Sequence, residues 1–292
     1  MKFNEDSRVK IPAILHLTRL GYQYLPLNEA KWDIDTNIFT NIFKSSIQKI
    51  NPELEPEEID RLLVDTSLLL DNEDLGKAFF QKLTSDSGVK LIDFENFNSN
   101  TFNVVTELTY KNGDEEFRPD IILLINGMPL AFIEVKKPNN RDGIIAERDR
   151  INKRFQNKKF RKFVNITQLM VFSNNMEYDN HDIEPLQGAF YASPSYKVPI
   201  FNYLREEEIF NPNDILSDED DALENYVLKD NNLAVIKNSP EFLTNKDPKT
   251  PTNRILTSLF SKERLAFILK YAIVYVDELK GIEKHIMRYP QI

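Results

Sequence analysis

Two apolar runs separated by a turn signal constrain the fold of this 292-residue chain more than any other feature. The runs cover residues 121–125 and 130–135, and Asn126-Gly127-Met128-Pro129 lies between them. Asn-Gly between apolar runs is a strong local signal for a β-hairpin. In the second run both alternating sets of side chains begin apolar, so we expect that strand to be buried on both faces of a sheet.

The remaining periodicities place helices before and after a group of strands. Apolar spacing and helix-start signals predict a helix that opens at Pro56 and further helices over residues 9–20, 36–50, 74–83, 144–160 and 261–279. Residues rich in Val, Thr, Phe and Tyr predict strands over 89–94, 102–110 and 169–172, with a turn at 111–114. This order predicts a layered α/β or α+β domain.

Composition removes several classes of chemistry. The chain has no cysteine, which excludes disulfides, Cys-ligated zinc, iron–sulfur clusters and thiol nucleophiles. His16, His181 and His285 lie far apart without metal-ligand spacing, so we expect no histidine-rich zinc site and take His16 and His181 as structural. Neither a P-loop nor a Rossmann glycine motif is present. No apolar run approaches about 18 residues and the N-terminus lacks an apolar signal core, so we expect a cytoplasmic protein without a membrane span.

Charge is distributed unevenly along the chain. The net charge of −9 argues against non-specific binding of the whole chain to nucleic acid. Residues 136–162 nevertheless carry eleven basic side chains against three acidic ones. Nine acids occur in each of the segments 53–74 and 206–224, for which we expect solvated faces.

The residues that carry candidate chemistry lie at the ends of the predicted hairpin strands. Pro119-Asp120 begins the first strand and Glu134-Val135-Lys136 ends the second, which matches the pattern PD…(D/E)xK. Two carboxylates on neighbouring strands can hold Mg²⁺, which takes oxygen ligands, polarises a phosphodiester and helps to generate hydroxide. A lysine beside them can orient that water or stabilise charge in the transition state. A structural Glu–Lys ion pair stays open as an alternative, since a buried charge needs a partner.

Hairpin register decides whether the two carboxylates can share a metal, because directly opposed residues point to the same face. A strict two-residue loop at Asn126-Gly127 would pair Asp120 with Ile133 and turn it away from Glu134. A three-residue loop or a β-bulge would place Asp120 opposite Glu134. Shared metal binding therefore predicts an irregular hairpin.

Residues 118–137, with Leu-Ile-Asn-Gly-Met-Pro-Leu at their centre, resemble the N-terminal nuclease region of the restriction (R) subunit of type I restriction–modification enzymes. Those regions read (R/x)xD…LxNGxPLxxxExKxP. Further similar segments are Leu20-Gly21-Tyr22, Leu91-Ile92-Asp93-Phe94, Asn103-Val104-Val105 and Phe172-Ser173-Asn174-Asn175.

The resemblance implies a RecB-like PD-(D/E)xK nuclease, that is, an α/β fold with a mixed central sheet flanked by helices and a C-terminal helical connector. We accordingly expect an endonuclease domain over 1–250 and a connector over 251–292, leading to an ATP-dependent translocase whose Walker motifs this chain lacks. The implied activity is that of a type I site-specific deoxyribonuclease with Mg²⁺ as cofactor, ATP being bound only by the full-length subunit. The implied partners are double-stranded DNA, the modification and specificity subunits, and the translocase domains.

The resemblance also assigns roles to individual residues. Asp120, Glu134 and Lys136 match the catalytic triad, with the two acids as metal ligands. An acid in the first helix is expected near the metal, and Glu5 or Asp6 is the candidate, although Lys10 stands close to the expected position. Many family members carry Gln-x-x-x-Tyr after the lysine, and the nearest match here, Gln156 to Phe160, lacks the hydroxyl.

A helix over 144–160 would place basic side chains on one stripe that contacts phosphates without reading bases. The predicted DNA-binding residues are Lys137, Arg141, Arg150, Lys153, Arg154 and Lys158. Two alternatives remain open at this point. One is a repair-type nuclease, and the other is a DNA-binding or assembly module of the restriction complex with a vestigial nuclease site.

Overall fold

A computed structural model describes residues 5–138, 142–178, 185–195, 197, 200–204, 211, 214–279 and 281–288. The helices in it are α1 (Ile11–Arg19, preceded by a π-helical turn, Asp6–Lys10), α2 (Thr40–Ile50), α3 (Pro56–Leu69), α4 (Lys77–Leu83), α5 (Gly143–Phe155), α6 (Arg161–Ile166), α7 (Asp221–Asp230), α8 (Pro240–Asn245), α9 (Pro251–Phe260) and α10 (Lys262–Phe267). The strands are β1 (Gln23–Tyr24), β2 (Phe102–Thr106), β3 (Tyr110–Asn112), β4 (Glu115–Phe117), β5 (Ile121–Ile125), β6 (Met128–Val135), β7 (Leu169–Ser173), β8 (Ala189–Ala192), β9 (Asn202–Tyr203), β10 (Ile273–Glu278) and β11 (Gly281–Ile286).

Seven strands form one mixed sheet in the order β1-β2-β5-β6-β7-β8-β9. The central strand β6 pairs antiparallel with β5 and parallel with β7, and it is buried along its whole length. One apolar cluster on the sheet includes side chains of α1, α2, α9 and α10, and a second includes side chains of α5 and α6. The expected mixed sheet flanked by helices is therefore confirmed.

The turn between β5 and β6 has two residues with positive φ, Asn126 at 50° and Gly127 at 76°. The buried Asn126 amide donates to the Leu91 and Asn100 oxygens at 2.9 and 2.8 Å and accepts from the Thr101 N–H at 2.8 Å. A Cβ on Gly127 would lie 2.7 Å from backbone atoms at the start of α2. This is why the chain needs Asn-Gly at this turn.

A β-bulge follows the turn. Ile125 pairs with Met128 and Leu124 with Pro129, but Leu123 pairs with Ala131 and Ile121 with Ile133. Leu130 is the extra residue, and it shifts the register of the rest of the hairpin by one position. The irregular hairpin that shared metal binding requires is thus confirmed, in the form of a bulge rather than a three-residue loop.

The structure corrects several element predictions. Residues 89–94 form bends rather than a strand, and α2 begins at Thr40 rather than at 36. The helix expected over 144–160 ends at Phe155. The helix expected over 261–279 is also wrong, because α10 and a π-helical turn end at Ala272 and β10 begins at Ile273. Residues 273–276 read Ile-Val-Tyr-Val, and β-branched and aromatic side chains favour a strand.

The hairpin formed by β10 and β11 is attached to the main domain through a buried lysine. The Lys284 ammonium donates to the Thr167 carbonyl at 3.0 Å and to Gln168 Oε1 at 2.6 Å. Burial lowers the pKa of Lys284 well below its usual value. The segment expected as a helical connector over 251–292 is therefore helical only as far as Ala272 and continues as a β-hairpin, whereas its role as a connector and a domain boundary near 250 stay predictions.

No helix among the described residues is both long and apolar enough to cross a bilayer.

Gly127→Ala tests the origin of the turn. An added methyl group would meet the backbone of α2 and force φ out of its favoured range, so we expect a larger loss of unfolding free energy than the roughly 1–2 kcal/mol that a positive φ alone costs. Gly113→Ala is the matched control, because Gly113 also has positive φ but an added methyl group there would have no neighbour within 4 Å. Urea unfolding measures both losses, and equal losses would contradict the assignment.

A buried histidine, His16, lies at the contact between α1 and α9, and its protonation tests the effect of burial there. Its Nε2 lies 2.7 Å from Thr257 Oγ1, and burial lowers its pKa to about 3. Below pH 6.5 the imidazole of His16 binds a proton in the unfolded chain but not in the folded chain. The unfolding free energy therefore falls as the pH falls, by about 2 kcal/mol between pH 6.5 and 5. We expect His16→Gln to lose that part of the pH dependence in urea unfolding at pH 7.5 and 5.0; an unchanged dependence would be the contrary result. His181 lies outside the described residues.

Candidate active site

The bulge brings the two predicted metal ligands to one face of the sheet. Since Ile121 opposes Ile133, the next step of the same register sets Asp120 opposite Glu134. Asp120 Oδ2 accepts a hydrogen bond of 2.9 Å from the Val135 N–H, so its side chain reaches across to β6. Glu134 is only 3% exposed, whereas Asp120 is half-buried.

Lys136 lies directly after β6, where the parallel strand β7 also ends. Its N–H donates to the Ser173 carbonyl at 2.8 Å, which fixes the backbone. Its ammonium lies 3.4 Å from Glu134 Oε2 and donates to the Val135 carbonyl at 3.0 Å. The three residues of the PD…(D/E)xK pattern are therefore neighbours in space.

Helix α5 adds a fourth charged group that the sequence analysis missed. Glu147 is 1% exposed, and its Oε2 lies 3.4 Å from the Lys136 ammonium. The signal was present in the sequence, because Glu147 interrupts an apolar stripe of Ile144, Ile151 and Phe155 at helical spacing. A single acid on the apolar face of a helix calls for a buried cation, and Lys136 is one.

The site holds more buried negative charge than its surroundings favour. Burial raises the pKa of Glu134 well above its usual value, and the charges of Asp120 and Glu147 raise it further, while Lys136 opposes them. Burial by itself lowers the pKa of Lys136, but the neighbouring carboxylates outweigh that effect and leave it raised. Lys136 is therefore held in its charged form and Glu134 is poised to accept positive charge.

The two candidate acids at the N-terminus differ in their surroundings. Burial raises the pKa of Glu5, and the charges of Lys136 and Asp120 also act on it, with opposite signs. Asp6 instead lies 3.7 Å from the ammonium of Lys10. Lys10, which stands near the position expected for the acid, is buried and pairs with Glu107. The electrostatic coupling favours Glu5 over Asp6 as the acid beside the site.

The predicted basic stripe is interrupted. Because α5 ends at Phe155, Lys158 lies on a separate 3₁₀ turn, 3.1 Å from Glu73 Oε1. Arg161 contacts the same oxygen at 2.7 Å. The acidic segment 53–74 therefore contributes partners to basic residues instead of forming only a solvated face.

The other predicted DNA-binding residues differ in exposure. Lys137, Arg150 and Lys153 are exposed, the Arg150 side chain by 57%. Arg154 is mostly buried, with its guanidinium 3.7 Å from the centre of the Phe117 ring. Arg141 lies outside the described residues. Gln156 is exposed, with its amide nitrogen 3.5 Å from Asn152 Oδ1 on the same helix.

A second cluster of ligand-type side chains occurs on the β10–β11 hairpin. Among the described residues, Glu278, Glu283 and His285 place one ligand atom each within 4.8 Å of one another. Lys197 forms ion pairs with both glutamates, so the cluster already has a positive partner. We assign no metal to it.

Replacing the buried carboxylate tests the electrostatics of the site. A raised folded-state pKa means that ionised Glu134 destabilises the fold above pH 4.5, so Glu134→Gln should raise the unfolding free energy at pH 8 in EDTA by about 1–2 kcal/mol. The gain should shrink towards pH 4.5. Urea unfolding checks this, with exposed Glu53→Gln as the control. A less stable Gln variant at pH 8 would show that Glu134 is a stabilising ion-pair partner instead.

Comparisons with known proteins identify the family to which this chain belongs. A family model described as type I restriction enzyme R protein N terminus matches residues 2–182. A putative type I restriction enzyme MjaIXP endonuclease subunit from Methanocaldococcus jannaschii is 32% identical over 203 residues, which is 60% of this chain and 19% of the relative. The type I restriction enzyme HindI endonuclease subunit from Haemophilus influenzae is 30% identical over 161 residues, 46% of this chain and 15% of the relative. The chain thus spans less than a fifth of the length of these relatives.

Proposed function

Because this chain belongs to the family of type I restriction enzyme R protein N termini, we propose that it is a Mg²⁺-dependent endonuclease domain with a PD-(D/E)xK core, which hydrolyses phosphodiester bonds of unmodified foreign DNA. One observation carries the proposal. The bulge at Leu130 sets Asp120 and Glu134 on the same face, with Lys136 beside them. A structural Glu–Lys pair does not need Asp120 in that position.

The donor atoms fit a magnesium ion. Asp120 and Glu134 offer only oxygen ligands, as a hard cation requires. Glu134 Oε1 is buried and has no hydrogen-bond partner among the described residues. An unsatisfied buried carboxylate oxygen is costly, and a cation would satisfy it. Glu5 is a further candidate ligand of the metal at this site, either through a water molecule or when the metal is bound together with DNA.

The residues of the chain divide the work of phosphodiester hydrolysis. A bound Mg²⁺ would polarise the phosphate and lower the pKa of a water ligand. Asp120 and Glu134 would hold that ion. Lys136, kept charged by its acidic neighbours, would orient the attacking water and stabilise negative charge on the reacting phosphate. No cysteine or histidine is required.

We propose that exposed basic side chains beside the site bind the DNA backbone. Lys137, Arg150 and Lys153 would contact phosphates on either side of the reacting one, so binding should weaken with salt. Lys158 would have to leave Glu73 first, and Arg154 is mostly buried, so both would contribute less. We propose that sequence recognition, ATP use and control of cleavage belong to the specificity and modification subunits and to translocase domains of the full-length subunit.

The alternatives from the sequence are less well supported. A vestigial site in an assembly module predicts either that the three residues lie apart or that every carboxylate oxygen is paired. Among the described residues, however, Glu134 Oε1 has no hydrogen-bond partner. A repair-type nuclease shares the site chemistry, but both relatives described above are named as type I restriction endonuclease subunits.

Lys136→Ala in the full-length subunit, assembled with its partner subunits, tests the proposed function. We expect loss of double-strand cleavage by at least about 10²-fold, the scale for removing one group that stabilises transition-state charge. ATP hydrolysis should stay within about twofold, and Lys229→Ala on the exposed surface of α7 should change neither activity. Loss of both activities in Lys136→Ala, or undiminished cleavage, would count against a nuclease site here.

A further inference from the structure

Glu147 is the most deeply buried charged group near the site, and the triad does not account for it. Three cations surround its carboxylate: Lys136 at 3.4 Å, Arg150 at 3.2 Å and Arg154 at 3.6 Å. A buried carboxylate persists only with such partners. Glu147 is thus an ion-pair partner common to all three cations.

Lys136 is shared between two acids at equal distance. Its ammonium lies 3.4 Å from Glu134 Oε2 and 3.4 Å from Glu147 Oε2. Without the charge of Glu147, Lys136 would pair with Glu134 alone. An ammonium bound closely to Glu134 would compete with a metal ion for the same carboxylate.

The two arginines have different environments around the same anchor. Arg154 is 20% exposed and stacks on Phe117, so it closes the inner side of Glu147. Arg150 is 57% exposed and one turn nearer the start of α5, so its guanidinium is held at the surface beside the site. An exposed guanidinium fixed by a buried acid is pre-ordered for a phosphate oxygen.

We infer that Glu147 is a positioning residue: it shares the Lys136 ammonium with Glu134, which keeps that ammonium from closing on Glu134 and leaves Glu134 free to bind a divalent cation, and it holds Arg150 where a DNA phosphate meets the site. The inference rests on the metal site of the proposed function. It differs from that proposal in assigning a role to a residue that touches neither metal nor DNA. Glu147 acts through the lysine and the arginine.

Binding of Mn²⁺ to the 292-residue chain, measured by isothermal titration calorimetry, tests this without requiring cleavage. Glu147→Gln keeps the volume of the side chain and removes its charge, and we expect Mn²⁺ to bind about five- to tenfold more weakly. Asp149→Asn is the matched control, because it removes one exposed negative charge from the same helix. It should change the affinity less than about twofold.

A double-mutant cycle separates competition by Lys136 from a general loss of negative charge. Lys136→Met should tighten Mn²⁺ binding more in the Glu147→Gln background than in the wild-type background, because only there does the lysine pair with Glu134 alone. Equal gains in the two backgrounds, or an unchanged affinity in Glu147→Gln, would overturn the inference. Thermal unfolding establishes that each variant is folded, and Glu147→Met replaces Glu147→Gln if the latter does not fold, because methionine has a similar length and also removes the charge.

The same titration distinguishes failure of the inference from failure of the proposed function. Wild-type binding that Asp120→Asn abolishes supports the metal site, and the cycle then decides the role of Glu147. Wild-type binding that Asp120→Asn leaves unchanged, or no binding at all, contradicts the metal site, and the inference falls with it.

Discussion

The proposed metal site depends on the register between β5 and β6, which one extra residue in β6 sets. The Leu130 bulge shifts the register between β5 and β6, so that Asp120 and Glu134 share a face of the sheet. In a regular hairpin closed by Asn126-Gly127, Asp120 would oppose Ile133, and the carboxylates of Asp120 and Glu134 would lie on opposite faces of the sheet. The buried Asn126 amide fixes the two-residue turn from which the pairing of β5 with β6 begins.

Acidic side chains cluster at the site, although burial disfavours their charged forms. Asp120, Glu134 and Glu147 meet beneath α5, and burial together with mutual repulsion raises the pKa of Glu134. Lys136, Arg150 and Arg154 offset part of that charge through ion pairs, yet Glu134 retains an oxygen without a partner among the described residues. Such local conflict with stability is expected at functional sites, where a ligand supplies what the fold leaves unsatisfied. A divalent cation is the ligand that the donor set favours.

Sequence reasoning predicted the hairpin, the central strands and the proximity of Asp120, Glu134 and Lys136 because these depend on local signals: the Asn-Gly turn, apolar runs, and the spacing of Asp120 and Glu134. The catalytic roles of these residues stay a prediction. Sequence reasoning also required an irregular hairpin, although it could not choose between a longer loop and a bulge, since packing of Gly127 on α2 selects the short turn. The helix predicted over 261–279 was wrong, because the β-branched and aromatic run that starts at Ile273 forms strand β10. Its partner strand β11 is held against the rest of the domain by buried Lys284. Sequence reasoning missed Glu147, although the sequence shows one acid on the apolar face of this helix, because only tertiary packing identifies Lys136 as the cation that this acid contacts.

Anomalous diffraction from crystals soaked in Mn²⁺ distinguishes a shared metal site from a structural ion pair. We expect a single strong anomalous peak bridged by the carboxylates of Asp120 and Glu134, with the Lys136 ammonium beside it and Glu147 turned towards that lysine. A peak at Glu278, Glu283 and His285 with none between Asp120 and Glu134 would exclude the proposed metal site. So would a Lys136 ammonium that closes fully on Glu134 and leaves no space for the ion.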